Sequence, residues 1–197
     1  EAVGFHGQTV LHKAPNKLLK GKTRQLGDGQ RMANELGMPV VYDFRTNDMR
    51  EGGQGAPLCP IYHAALLKKI AATSTTAILN LGGLGNLSCY SDKYGLMAFD
   101  TGPANAPLND WIKSFNIGHM DIDGKIAARG KADESRLAEI LKNPYFDVAF
   151  PKSLDRFDFS FKIVEGMSLE DGAATLTALV GASVEKGLDL LPIRPTQ

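Results

Sequence analysis

The sequence predicts an α/β fold, and three observations carry that prediction. Short apolar or β-branched runs stand at residues 40–42, 76–81 and 96–99. Stretches with helical spacing of apolar residues lie between and after them, giving the interleaved order of an α/β protein. Each apolar run also passes directly into a turn-rich segment: Asp43 onward, residues 82–86 and residues 100–105. In open α/β sheets ligands bind beyond the carboxyl ends of strands, so this recurrence directs attention to one crevice.

The elements follow in order. Residues 1–5 read as a strand already under way, and residues 40–42 (Val-Val-Tyr) as a buried strand between Gly37 and Asp43. Residues 50–60 contain Gly52, Gly53, Gly55 and Pro57 and form a loop. Residues 61–72 are helical, with Tyr62, Leu66 and Ile70 at four-residue spacing on one face. The strand at 76–81 runs into Gly82-Gly83-Leu84-Gly85-Asn86, and residues 87–90 can pair back on it as a hairpin. A third strand at 96–99 ends at Asp100-Thr101-Gly102-Pro103. Helices are predicted at 108–115, at 134–141 and, after the capping pattern Ser168-Leu169-Glu170-Asp171, at 173–184. The change from helix to strand near residues 72–74 marks a domain boundary, with one domain over 1–73 and a second over 74–197. Residues 191–197 read as a linker-like tail, and the chain as a segment of a longer protein.

Composition excludes several classes. With 22 basic and 22 acidic side chains the formal net charge is zero, which argues against a polyanion or nucleic-acid binder. No apolar run approaches the roughly 18 residues of a membrane span, and no signal-peptide pattern opens the chain. Cys59 and Cys89 stand in neither a zinc nor a redox spacing; they read as small core residues of a protein from a reducing compartment. His12 and His63 are too far apart to argue a metal site, and His119 reads as a surface-loop residue. No side-chain cluster for direct metal binding is expected. Glycine is the exception to an ordinary composition: 21 in 197 residues, above the usual ~7% and bunched.

Those glycine-rich segments carry the candidate chemistry. Asp43, at a strand end, suits a general base acting on water or a hydroxyl; a turn-forming Asp is the other reading. Arg45 can pair with it or with an anionic substrate. Gly82, Gly83, Gly85 and Asn86 allow a backbone to approach an anion closely, although a hairpin with a glycine bulge gives the same letters. Neither the P-loop nor the dinucleotide spacing is present. Asp100, Thr101 and Gly102 offer a carboxylate and a hydroxyl to hydrated Mg2+ and phosphates, or a bare turn. His6, Gln8 and Thr9, set among Gly4 and Gly7, supply donors and acceptors suited to a sugar, or the polar face of a strand.

Read in order, these segments resemble the anhydro-N-acetylmuramic acid kinases of bacterial cell-wall recycling. The matching stretches are Gly4-Phe5-His6-Gly7-Gln8-Thr9-Val10, Gln25-Leu26-Gly27-Asp28, Asp43-Phe44-Arg45 through Asp48, and Gly52-Gly53-Gln54-Gly55-Ala56-Pro57-Leu58. They continue with Asn80-Leu81-Gly82-Gly83-Leu84-Gly85-Asn86, Phe99-Asp100-Thr101-Gly102-Pro103-Ala104-Asn105, Asn143-Pro144-Tyr145-Phe146, Pro151-Lys152-Ser153 and Ala174-Thr175-Leu176-Thr177-Ala178-Leu179. The resemblance implies an actin-like, sugar-kinase fold of two ribonuclease-H-like domains closing over ATP, of which this chain is a central segment. It implies hydrolysis of the 1,6-anhydro ring of anhydro-N-acetylmuramic acid and MgATP-dependent phosphorylation of the 6-hydroxyl. By it Asp43 activates the attacking water, while His6, Gln8, Thr9, Arg45, Gly53 and Gln54 line the sugar side. Gly82, Gly83, Gly85, Asn86, Asp100, Thr101 and Gly102 fall to the phosphates. A cytoplasmic location and a homodimer are implied as well. The sequence departs from the family pattern at Ala104, where Gly is usual, and the family's opening phosphate loop and its Gly-Gly-Gly-x-x-Asn nucleotide loop are expected outside residues 1–197. A non-catalytic sugar-binding segment and another actin-like sugar kinase are the competing expectations.

Overall fold

The computed structural model describes residues 1–15, 19–73 and 75–197, and the chain divides into two compact units, Glu1–Cys59 and Pro60–Gln197. In the first, β1 (Val3–Phe5) is followed by an antiparallel hairpin of β2 (Gln8–Lys13) and β3 (Lys22–Leu26), then α1 (Gly29–Leu36), β4 (Val40–Tyr42) and α2 (Thr46–Arg50). β1 and β4 pair in parallel, Val3 opposite Val40 and Phe5 opposite Tyr42. A parallel pair needs a crossover, and α1 lies within it. Its ends are fixed locally. The Asp28 carboxylate accepts from the Arg31 amide at 2.9 Å, and Gly37, at φ 63°, returns its N–H to Ala33 O at 3.0 Å. This is an ordinary N-cap and left-handed C-terminal glycine.

The second unit opens with α3 (Pro60–Lys69) and an antiparallel meander of β5 (Ala77–Leu81), β6 (Leu84–Ser91) and β7 (Gly95–Pro103). It continues with α4 (Asn105–Ser114), α5 (Glu134–Ile140) and the long α6 (Leu169–Asp189), joined by short 3-10 turns. Helix α6 starts where Ser168 Oγ accepts from the Asp171 amide at 3.1 Å. It lies on β7 through small residues: a Cβ at Gly187 would stand 2.8 Å from Thr101 Cγ2, and one at Gly102 2.7 Å from Ser183. The core beneath the meander is Leu87, Cys89, Met97, Phe99 and Leu191.

Several sequence expectations change. The helix predicted over 61–72 belongs to the second unit, because buried His63 of α3 hydrogen-bonds Ser88 of β6 at 2.9 Å. The chain thus divides at residues 59 and 60, and Ser74, where a boundary was read, lies outside the described residues. Cys89 is buried as expected, but Cys59 is exposed. Residues 191–197 are not a free tail: Leu191 is buried, the amides of Thr196 and Gln197 donate to Thr75 O, and Ala77 donates to Gln197 O. His119 sits exposed in a bend. Among the described residues no helix is long and apolar enough to cross a membrane.

Candidate functional site

In the first unit the chemistry gathers where β4 stops. Asp43 adopts φ 57°, the left-handed region that Asp tolerates better than most residues. That single residue turns the strand into α2 and leaves its carboxylate exposed. Thr46 Oγ1 donates to Asp43 Oδ1 at 2.6 Å, and among the described residues this is the only hydrogen bond Asp43 makes. Its second oxygen therefore keeps its lone pairs. Asp43 lines a cleft of about 260 Å³ with His6, Gly7, Arg24, Gln25 and Thr46.

His6 is held from both sides. Its Nδ1 lies 2.7 Å from Gly7 O, and Arg45 Nε donates to its Nε2 at 3.1 Å. A carbonyl can only accept, so these contacts select the Nδ1–H tautomer. Arg45 also donates to Gly55 O, joining His6 to the glycine-rich loop. That loop is wrapped on Asp48, whose Oδ2 accepts from the Gly55 amide at 2.7 Å. A Cβ at Gly53 would lie 2.2 Å from the Asp48 carboxylate, so only glycine permits the approach.

The structure thus brings Asp43 and His6 into one cleft, with Arg45 tied to His6. It does not bring Gln8, Thr9, Gly53 or Gln54 to the walls of that cleft. Thr9 stands one contact away, its Oγ1 accepting from Gln25 Nε2 at 3.2 Å. The sequence reading missed Thr46, Arg24, Gln25 and the organising carboxylate of Asp48. The three-residue spacing of Asp43 and Thr46 at a strand-to-helix turn was the available signal for the first. Thr23 and Thr46 also line a larger cleft of about 770 Å³, with Lys20, Lys22 and Arg50 among its walls and, among the described residues, no carboxylate.

In the second unit, residues 82–86 form a β-hairpin. Gly82 and Gly83 make the exposed turn between β5 and β6, while Gly85 and Asn86 are already in β6. The β6–β7 register shifts between Gly85 and Asn86: Gly85 faces Gly102 and Asn86 faces Asp100, so Thr101 is the extra residue of a bulge. The start of α4 is fastened to the turn. Ala104 and Ala106 amides donate to Gly83 O, the Asn105 amide to Gly82 O, and Asn105 Nδ2 to Leu81 O at 2.8 Å.

Asp100-Thr101-Gly102-Pro103 is therefore the end of a strand, where the sequence suggested a loop. Asp100 is 5% exposed, and its Oδ2 accepts from the Leu154 amide at 2.9 Å. Tyr145 OH donates to Asp100 O, and burial followed by the nearby Asp100 and Asp158 charges raises the phenol well above its usual range. Lys152 is buried beside them, donating to Tyr145 O at 2.8 Å with its ammonium 4.4 Å from the Tyr145 ring centre. Burial lowers it to about 8 against a smaller opposing pull from Asp147. Thr101 Oγ1 is buried and has no hydrogen-bond partner among the described residues, and the same holds for Asn86 Oδ1. Both atoms lie inside the β6–β7 pair, whereas the Gly82–Gly83 turn is exposed and free of side chains, the feature a phosphate-bearing ligand can approach. Among the described residues no group of three or more His, Cys, Asp and Glu could hold a metal ion.

The sequence profile of anhydro-N-acetylmuramic acid kinase matches residues 1–188. The chain is 58% identical over 193 residues to the anhydro-N-acetylmuramic acid kinase of Brucella anthropi, covering 98% of this chain and 52% of that protein. It is 56% identical over 196 residues to anhydro-N-acetylmuramic acid kinase 2 of Jannaschia sp., covering 100% and 52%, and 46% identical over 186 residues to the anhydro-N-acetylmuramic acid kinase of Caulobacter vibrioides, covering 94% and 50%. The chain spans about half the length of the curated relatives it matches. On the profile match and these identities, it belongs to the anhydro-N-acetylmuramic acid kinase family.

Proposed function

We propose that the chain supplies the catalytic base and one phosphate-binding hairpin of an ATP-dependent kinase acting on 1,6-anhydro-N-acetylmuramic acid. The family's fold is the actin-like, sugar-kinase α/β fold. We assign the first unit to the first of its two domains and the second unit to the second. The observation that carries the reading is Asp43: an exposed carboxylate on a rigid strand-to-helix turn, in a cleft, with one oxygen held and the other left open.

In the reaction Asp43 takes a proton from water as the water oxygen bonds to the anomeric carbon. The bond from that carbon to the 6-oxygen breaks. The 6-oxygen takes the γ-phosphoryl group of ATP and ADP leaves, giving N-acetylmuramic acid 6-phosphate. His6, Arg45 and the loop carrying Gly53 and Gln54 orient the sugar, with Thr9 behind them through Gln25 and Gln8 beside Thr9 on the same strand. The Lys20, Lys22 and Arg50 lining of the larger cleft suits a substrate that bears a carboxylate. Gly82, Gly83, Gly85 and Asn86 cradle phosphate oxygens, and Asp100, Thr101 and Gly102 hold the hairpin's register. Mg2+ held through the phosphates would neutralise charge in the transfer, a reaction governed by positioning and electrostatics. A cytoplasmic location and a homodimer complete the reading.

The test is Asp43→Asn in the full-length protein, incubated with anhydro sugar, MgATP and oxygen-18 water. The wild type is expected to yield a phosphorylated sugar carrying one heavy oxygen at the anomeric carbon, and the variant a product rate at least about 1,000-fold lower with its fold intact. Near-normal product from the variant removes Asp43 from the mechanism.

A further inference from the structure

We infer that Thr46 is a positioning residue that decides which Asp43 oxygen acts as the base. The inference rests on the reading of Asp43 given above. The torsion that rotates a carboxylate about its Cβ–Cγ bond is broad and roughly two-fold, so packing or a hydrogen bond must define the plane. Asp43 is exposed, and the Thr46 hydroxyl at 2.6 Å is the one hydrogen bond it has among the described residues. That contact occupies Oδ1 and leaves Oδ2 to accept a proton from water.

The position of Thr46 supports a dedicated role. It is the first residue of α2, one place past the N-cap, where a Ser or Thr side chain ordinarily accepts from the helix's own amides. Here the helix start has no side-chain cap at all, since Arg45 holds that position without one. The Thr46 hydroxyl is directed to Asp43 instead. Thr46 is half-buried and stands in the walls of both clefts. Asp43 at φ 57° brings its side chain back over the first turn of α2. Strand end, left-handed residue and hydroxyl thus form one device, and base catalysis depends on such placement.

The experiment compares Thr46→Val, which keeps shape and removes the donor, with Thr46→Ser, which keeps the donor, in the full-length protein. Steady-state rates are measured by ADP release and by oxygen-18 incorporation into the sugar. Thr46→Val is expected to lower kcat by about 10- to 100-fold with KM for the sugar within about twofold. Thr46→Ser is expected to stay within about threefold of wild type. Wild-type kcat in Thr46→Val overturns the inference, as does a Thr46→Ser variant as slow as the valine. A raised KM at unchanged kcat overturns it too, because Thr46 would then be a sugar contact. Asp43→Asn run alongside separates the two claims: turnover by that variant sinks the Asp43 reading, whereas its inactivity beside a fully active Thr46→Val sinks only this one.

Discussion

Replacing Gly85 by alanine tests whether the β6–β7 bulge is built around the Thr101 hydroxyl. Gly85 does not have a left-handed backbone, so the objection to a side chain there is purely steric. The new Cβ would lie 2.7 Å from Thr101 Oγ1 and 3.5 Å from Leu81 Cδ2. Thr101 cannot retreat: it is 1% exposed, and its methyl already fills the space over Gly187, where a Cβ would come within 2.8 Å. Overpacking of this kind costs about 1–3 kcal/mol. Thr101→Ala removes an unpartnered hydroxyl and one methyl, costing about 1 kcal/mol by itself. In the double variant the clash is gone, so its cost should fall below the sum of the singles by about 1–2 kcal/mol. Urea unfolding midpoints of the four proteins at constant m give the cycle. The shifted hairpin should also raise KM for ATP in Gly85→Ala. Strict additivity, or wild-type stability in the single variant, refutes the reasoning.

Lys152 sets a pH dependence. Its folded value of about 8 lies below its ordinary 10.5, so between the two the unfolded chain binds a proton that the folded chain does not. Stability conferred relative to Lys152→Met therefore rises with pH across that window, by on the order of 2 kcal/mol from pH 8 to 9.5; a pH-independent difference in unfolding midpoint would contradict it. Ser168→Ala removes the cap of α6 and should cost about 1 kcal/mol by the same assay, and no change would show that the packed helix holds its end without it.

The sequence showed the elements whose apolar residues meet a core and hid those defined by polar pairing. The meander and α6 were legible because their apolar residues meet a core; residues 40–42 form the expected strand, but Val41 and Tyr42 are exposed where a buried strand was expected. The β2–β3 hairpin was not: residues 8–13 (Gln-Thr-Val-Leu-His-Lys) expose most of their side chains, and their partner strand begins nine residues further on. Helix α1 escaped for a similar reason, with Gly29 its one buried residue, although Asp28 and Gly37 mark its ends plainly. At the candidate site the motif residues were legible as letters, but not their surroundings. Asp100 to Pro103 carry turn-forming residue types, yet pairing with β6 and packing under α6 override local preference.

That override separates two aspartates the sequence makes look alike. Asp43 and Asp100 both follow an apolar run and precede turn-like residues. A carboxylate can act as a base only if an oxygen is free and reachable, and several carboxylates of this chain are spent on backbone amides. Asp28 caps α1, Asp133 caps α5, Asp48 holds Gly55, and Asp121 binds the amides of Ile126 and Ala127. Asp100 belongs with these, buried and bonded to Leu154. Asp43 differs because its strand ends on it: the left-handed turn carries it out of the sheet, and a hydroxyl rather than an amide meets it. A hydroxyl is a donor that a single substitution can remove without disturbing the backbone, which is why Thr46→Val is the sharper probe of this turn than any change to the strand that precedes it.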